Sequence, residues 1–250
     1  MNDAMEAEFD TVAEWTAEVA LSLGADHYLP AACRGSGSPA TLDWLIDRLD
    51  LRHADRLLDC GAGAGGPAGY AADRVGVRPV LSEPEAGACR AARRLFGFPT
   101  VQAGTELPFA SASFDVAWCL GVLCTVERQD RLLGELRRVL TPAGRLGLLV
   151  FVAATGSPPA RPDGNNFPTR GGLLALLAGA DLAVRADVPA AVLGDIPPAW
   201  QERADAVDAE LDRRHHCSET WRRAVHQSEL IGRLLASGEL VAQAMVLSAG

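Results

Sequence analysis

The most informative run in this 250-residue chain is Leu57-Leu58-Asp59-Cys60-Gly61-Ala62-Gly63-Ala64-Gly65-Gly66-Pro67, in which an apolar strand pattern leads into a glycine-rich turn. Glycine lets the backbone turn sharply and lets a ligand approach it closely. Proline is well tolerated in the first turn of a helix, so Pro67 marks a helix start. The run therefore predicts a strand, a ligand-binding turn and a helix in direct succession.

Two acidic residues bear on which cofactor this turn accepts. Gly61, Gly63 and Gly66 match the dinucleotide fingerprint G-x-G-x-x-G, which is ambiguous by itself. Asp59 stands at the strand tip, where a carboxylate would repel a pyrophosphate but attract the ammonium and sulfonium groups of S-adenosylmethionine (SAM). Glu83 closes the next strand and can accept hydrogen bonds from both ribose hydroxyls, as acids in NAD sites also do. The pair favours SAM; the alternatives are a turn-forming Asp59 and a solvated Glu83.

Short apolar runs alternate with helical patterns through the middle of the chain. The strand candidates are 56–60, 79–82, 100–102, 114–119 and 145–152. Strands separated by helices form βαβ units, and these build a parallel sheet. The run Leu146–Val152 lacks alternation, which is typical of a central strand covered on both faces. We therefore predict an α/β fold with a Rossmann-like, mostly parallel sheet.

The flanking segments predict additional helices. Apolar residues from Phe9 to Ala20 recur at helical spacing, and Thr41 is predicted to cap a second helix after a loop at 28–39. The predicted elements in the last third are a helix opened by Pro168–Thr169, a strand near 182–188, helices in 191–239 and a strand at 240–247. We expect one domain, 1–250, with N-terminal cap helices (1–52), a core (53–190 and 240–250) and a helical insertion (191–239).

The composition excludes several classes of function. A net charge of −9 argues against a nucleic-acid partner, since a phosphate backbone requires clustered positive charge. The chain contains no lysine, which excludes a P-loop lysine or a lysine base. Its longest apolar run, Leu146–Ala154, is far shorter than the roughly 20 residues that span a bilayer. With an acidic N-terminus and six cysteines lacking a CxxC pair, a cytoplasmic protein with free thiols is expected.

Four motifs follow one another between Arg56 and Val152. They are Asp59-x-Gly61-x-Gly63, Glu83, Leu107-Pro108-Phe109 with Ser113-Phe114-Asp115, and Leu136-Arg137-Arg138-Val139-Leu140-Thr141-Pro142-Ala143-Gly144. In this order they resemble the class I SAM-dependent methyltransferases, particularly the small-molecule type 11 group. The segment His27–Pro39 is similar to a loop of bacterial natural-product members of that group.

The resemblance implies a seven-stranded sheet whose last strand runs antiparallel, with SAM across the carboxyl ends of the first strands. The cofactor-binding residues are then expected to be Asp59, Gly61, Ala62, Gly63, Gly65, Glu83, Pro84, Ala103, Gly104, Thr105, Leu120 and Gly121. Arg34 is added to them as a cationic partner for the SAM carboxylate. One departure concerns the adenine: relatives often carry an acid just after the third strand, whereas Gln102–Glu106 has no carboxylate at that place. Either Thr105 or the backbone accepts the adenine amino group, or a shift brings Glu106 to it, or SAM binds more weakly.

The acceptor side is less defined. His27 and Tyr28 are the candidate catalytic residues: Tyr28 is expected to cover the methionine end of SAM, and His27 or Tyr28 to face the acceptor. The alternative is a surface histidine beside an anchoring tyrosine. For Arg34 the alternative is a solvated loop residue. No metal site is expected, because Asp163–Asn166 has no second carboxylate cluster to complete one.

These observations predict methyl transfer from SAM to the oxygen, nitrogen or carbon of a small organic acceptor in secondary metabolism. Three alternatives stay open: a SAM-binding protein that catalyses a cyclisation or rearrangement, a non-catalytic partner subunit, and an NAD-dependent oxidoreductase. The acceptor, the general base and the oligomeric state, a homodimer included, are not determined by the sequence.

Overall fold

The computed structural model describes residues 3–156, 158 and 160–250, with side chains from Phe9 onward. Within these residues the sheet has seven strands: β1 Leu57–Cys60, β2 Val80–Glu83, β3 Thr100–Gln102, β4 Phe114–Leu120, β5 Leu140–Ala153, β6 Leu182–Pro189 and β7 Leu240–Ala249. Their order is β3-β2-β1-β4-β5-β7-β6. Strand β7 runs antiparallel to both of its neighbours, and the other pairs are parallel. The predicted fold class is confirmed, including the antiparallel last strand.

Helices cover both faces of this sheet. They are α1 Asp3–Leu23, α2 Tyr28–Ala32, α3 Pro39–Arg48, α4 Gly66–Val75, α5 Ala86–Phe96, α6 Gln129–Val139, α7 Arg170–Gly179, α8 Pro198–His215 and α9 Glu219–Ala236. Leu57 packs in a cluster with Leu45 and Trp118, whereas Leu58 packs with Leu136 in the cluster of the other face. Successive residues of a strand point to opposite sides, so these two leucines join β1 to both helical layers.

Two local predictions in the N-terminal region were wrong. The first part of the loop predicted at 28–39 is instead helix α2. The glycine and serine residues of this segment, which disfavour helix, do not occur before Gly35. The cap of α3 is Ser38 rather than Thr41: the backbone N–H of Thr41 donates to Ser38 Oγ at 3.2 Å. Pro39 occupies the first helical position, so the helix begins about one turn earlier in the chain than predicted.

Helices α8 and α9 pack against the N-terminal helices. The indole of Trp221 donates to Asp212 Oδ1 at 3.0 Å, and the Trp15 ring stacks on His215 with centroids 3.8 Å apart.

The division into cap, core and insertion stays a prediction. None of the described helices is long and apolar enough to cross a membrane. The six cysteines are all free thiols as predicted, and only Cys217 is exposed.

Candidate cofactor-binding site

The glycine-rich turn requires glycine at three positions. Gly61, Gly63 and Gly65 have φ angles of +70°, +54° and +84°, in the left-handed region that residues with a Cβ rarely adopt. A β-carbon on Gly61 would also lie 2.7 Å from Val122 Cγ1, so the turn passes close to the segment that follows β4. The turn is therefore held between the ends of two strands, where the ligand of an open α/β sheet binds.

Hydrogen bonds tie this turn to the end of β2. The backbone N–H groups of Gly61 and Ala62 donate to Ser82 O at 2.8 Å and 3.2 Å, and Gly65 N donates to Ala62 O at 2.8 Å. The carboxylate of Glu83 accepts from Gly63 N at 2.8 Å and from Glu85 N at 3.1 Å. As a result, Glu83 lies directly against the turn.

Glu83 is 6% exposed, so it is not a solvated strand end. Burial raises the pKa of its carboxyl, and the N–H groups of Gly63 and Glu85 oppose that effect. Each carboxylate oxygen has two lone pairs and uses one of them in these bonds. The remaining lone pairs are available to accept ribose hydroxyls.

Asp59 is the more unusual acid of the site. The residue is 1% exposed, and its Oδ2 has no hydrogen-bond partner among the residues that the structure describes. Burial, together with the charge of Glu83, raises the pKa of Asp59 to about 7, while the Trp118 indole and the Ala68 N–H lower it. Trp118 stands opposite Asp59 in the pairing of β1 with β4, yet its indole nitrogen also lacks a bond of normal geometry.

A buried carboxyl oxygen without a partner is costly unless a ligand satisfies it. Asp59 interacts with Trp118 and with helix α4 at Ala68 rather than with its own turn, so the turn-forming alternative does not describe it. The group that this oxygen favours is a cation or a hydrogen-bond donor. The ammonium of SAM is both, so the two acids at the turn fit that cofactor.

Part of the segment predicted as a loop at 28–39 packs beside this site. We call Cys33-Arg34-Gly35-Ser36-Gly37 the strap. A β-carbon on Gly66 would lie 2.5 Å from Cys33 N, one on Gly121 would meet Gly35 O, and one on Gly37 would lie 3.4 Å from Leu149 Cδ2. The strap therefore lies against the start of α4, the residue that follows β4 and the side of β5 in turn. Its glycine and serine content predicts a loop, but no feature of the sequence predicts these contacts.

Gly66→Ala is expected to lower the free energy of unfolding, by about 1–3 kcal/mol as for other overpacked sites. The new methyl group meets backbone atoms of Ala32 and Cys33, which no rotamer change can move away. Gly134→Ala in α6 is the matched control, because a β-carbon there has no atom within 4 Å. Urea unfolding should show the control to be as stable as the wild type or more so. Equal effects of both substitutions would contradict close packing of the strap.

The other predicted cofactor residues lie along the same edge. Pro84 O accepts from Gln102 Nε2 at 3.0 Å, and Ala103 N donates to Glu83 O at 3.0 Å. Gly104 and Thr105 follow in the turn after β3, while Leu120 ends β4 and Gly121 N donates to Leu149 O at 2.8 Å. Their contacts with a cofactor stay predictions. Glu106, the alternative adenine acceptor, is exposed.

The three N-terminal candidates have different surroundings. His27 ends a short 3-10 helix, Ala25–His27, and its Nδ1 is buried with no hydrogen-bond partner in the described part of the chain. The Tyr28 ring packs edge-on against Phe96 of α5, with centroids 6.5 Å apart, so its described contact is with a helix rather than with the strand ends. Arg34 already forms an ion pair with Asp208 of α8. Binding of a SAM carboxylate by Arg34 would require this pair to open.

Comparison with known proteins agrees with this geometry. Residues 58–148 match the profile of a family described as a methyltransferase domain. The 27-O-demethylrifamycin SV methyltransferase of Amycolatopsis mediterranei (strain S699) is 37% identical over 119 residues, which make up 44% of this chain and 43% of that protein. The chain spans between 36% and 43% of the length of three such curated relatives.

Solved structures share the fold at low sequence identity. The (4+2)-cyclase SpnF superposes with a TM-score of 0.66 at 20% identity, over 84% of this chain and 80% of that one. Geranyl diphosphate C-methyltransferase from Streptomyces coelicolor A3(2), solved with Mg²⁺, geranyl diphosphate and S-adenosyl-L-homocysteine, has a TM-score of 0.60 at 18% identity over the same shares. Residues 58–148 of this chain are therefore similar to a methyltransferase domain, and solved neighbours of the same fold were crystallised with S-adenosyl-L-homocysteine or sinefungin.

Proposed function

We propose that this protein transfers a methyl group from SAM to a small organic acceptor. The observation that carries the proposal is the pair of buried acids at the glycine-rich turn: Glu83 bonded to Gly63 N, and Asp59 with an oxygen that has no partner. A neutral or anionic dinucleotide end would leave Asp59 unsatisfied or repelled. A cationic amino-acid end satisfies it.

When bound, SAM supplies an electrophilic methyl group, so the protein's contribution is alignment and exclusion of water. Glu83 would orient the ribose through its free lone pairs, and Asp59 would hold the ammonium. The strap would cover the ligand from the solvent side, since it lies against Gly66 at the start of α4 and against Gly121 after β4. Where the acceptor must lose a proton, His27 is our candidate base, because its buried Nδ1 has no partner.

For the acceptor we propose a small natural product, a class to which the name of the 27-O-demethylrifamycin SV methyltransferase points, methylated on oxygen, nitrogen or carbon. We propose that the protein works in the cytoplasm, as its free thiols favour, and that the reaction uses no metal ion, since Asp163–Asn166 has no second carboxylate cluster beside it in the sequence. Neither a nucleic acid nor a membrane is part of this proposal. A homodimer is compatible with it and is checked by light scattering.

Calorimetry with S-adenosylhomocysteine and with NADH tests the cofactor. We expect binding of the first and none of the second; the reverse result would support the oxidoreductase alternative and overturn the proposal. Incubation with methyl-labelled SAM and a panel of polyketide acceptors then tests the reaction by mass spectrometry. A product heavier by one methylene supports methyl transfer. Conversion of a substrate without transfer of label would instead support a cyclisation or rearrangement. A His27→Ala variant with full turnover would remove the base assignment.

A further inference from the structure

Two ion pairs attach the N-terminal segment to helix α8. Arg34 of the strap pairs with Asp208, and Asp26 pairs with Arg203 at 3.6 Å. The two pairs have opposite polarity, and their α8 members are five positions apart. Helix α8 therefore lies along the 3-10 turn, helix α2 and the strap, and holds them at two points.

Of these two ion pairs, only the one formed by Arg34 includes a residue of the strap. On one side of Arg34, Cys33 N lies close to Gly66 at the start of α4. On the other side, Gly35 O lies close to Gly121 after β4. Gly66 and Gly121 flank the glycine-rich turn and the end of β4, between which the cofactor would lie. The ion pair of the Arg34 guanidinium with Asp208 thus holds the strap between its contacts with Gly66 and with Gly121.

The exposure of the pair suits a contact that opens repeatedly. The side chains of Arg34 and Asp208 are 38% and 51% exposed, although burial of the inner part of Arg34 lowers its pKa. Ion pairs with this exposure contribute little to folding stability and are weakened by salt. Such a pair biases a segment toward one position without locking it there.

We propose that Asp208 is a positioning residue that holds the strap closed, and that opening of the Arg34–Asp208 pair is the step that admits SAM and releases S-adenosylhomocysteine. The inference rests on the proposed function, since it concerns the same site. Asp208 does not contact the cofactor in this mechanism; it acts through Arg34. Because Asp208 belongs to α8, displacement of that helix would also change how fast the cofactor exchanges.

The test is stopped-flow exchange of S-adenosylhomocysteine, followed by tryptophan fluorescence, in wild type and Asp208→Asn. We expect the association and dissociation rate constants both to rise about two- to fivefold, which is the range for loss of an exposed ion pair. The equilibrium affinity should change less than either rate. Asp205→Asn is the matched control: it removes the same charge from the same helix, and the described partner of Asp205 is Gln201 within α8, at 2.7 Å. The control should exchange at the wild-type rate.

Salt dependence separates this role from a merely structural one. Raising the ionic strength should accelerate exchange in the wild type and in Asp205→Asn, but not in Asp208→Asn, where the pair no longer exists. Wild-type exchange rates in Asp208→Asn, or equally faster exchange in both variants, would overturn the proposed role of Asp208. Either result would leave the methyltransferase proposal intact. Absence of any equilibrium binding by the wild type would overturn both. Circular dichroism melting checks that all three proteins are folded.

Discussion

Glu83→Ala is expected to weaken S-adenosylhomocysteine binding by about 100-fold or more, the factor for two lost charge-assisted hydrogen bonds. Both carboxylate oxygens are oriented by the N–H groups of Gly63 and Glu85, and each has a lone pair left for a ribose hydroxyl. The acid is therefore held in position before the ligand arrives, and little entropy is lost on binding.

Glu83→Gln separates charge from geometry. The amide keeps the size of the side chain and one oxygen acceptor, so we expect a loss of about tenfold. Asp73→Ala, an exposed acid of α4, is the control and should bind like the wild type. The measurement is isothermal titration calorimetry, with melting curves to confirm folding. Wild-type affinity in Glu83→Ala would remove Glu83 from the site, and the cofactor assignment would lose its main support.

Asp59→Asn is expected to change stability and binding in opposite directions. The folded carboxyl has a pKa of about 7 against an ordinary value of 3.8. It therefore binds its proton more tightly in the folded than in the unfolded chain, and folding stability falls as the pH rises from about 4 to about 7. Above pH 7 the full cost is present, about 4 kcal/mol for this pKa difference.

Asparagine carries no charge and does not incur this cost. At pH 8 the variant should melt roughly 10 °C higher than the wild type, and near pH 4 the difference should largely vanish. A melting series from pH 4 to pH 8 measures the effect, with Asp73→Asn as the exposed control. A variant that is less stable than the wild type at pH 8 would show that the Asp59 charge is already satisfied within the protein.

Cofactor binding should follow the opposite course. The ammonium of the ligand favours the ionised carboxylate, so binding must release the proton of Asp59 at pH values below 7. Wild-type affinity should then decrease by about tenfold per pH unit below pH 7 and level off above it. In Asp59→Asn this contribution disappears, and affinity at pH 8 should fall by about tenfold or more. A gain in stability with unchanged binding would show Asp59 to be a strained core residue without a role in the site.

Local patterns predicted the elements that local physics controls. The predicted strand at 100–102 matches β3, and those at 56–60 and 114–119 differ from β1 and β4 by one residue. These strands are short apolar runs between turns, and their bounds depend on neighbouring residues. The acids Asp59 and Glu83 were predictable for the same reason, since each stands at the end of a strand in consecutive βα units.

The strap, its contacts and its ion pair were not predictable in that way. Ser38 rather than Thr41 caps α3 because a proline at the first helical position decides between two acceptable caps. The partner of Arg34 is Asp208, one of many acids in a charged helix, and nothing in either neighbourhood selects it. The partnerless oxygen of Asp59 depends on how β1, β4 and α4 enclose it.

Chain periodicity and glycine spacing thus establish the parallel sheet, the turn after β1 and the two acids beside it, because each depends on dihedral angles and alternation within a few residues. Packing of distant segments establishes the rest: which helix lies over the strand ends, that Asp59 loses its water and keeps its proton up to neutral pH, and that Arg34 meets a carboxylate of α8. Burial and ion pairing arise between residues far apart in the chain, so the folded arrangement assigns them.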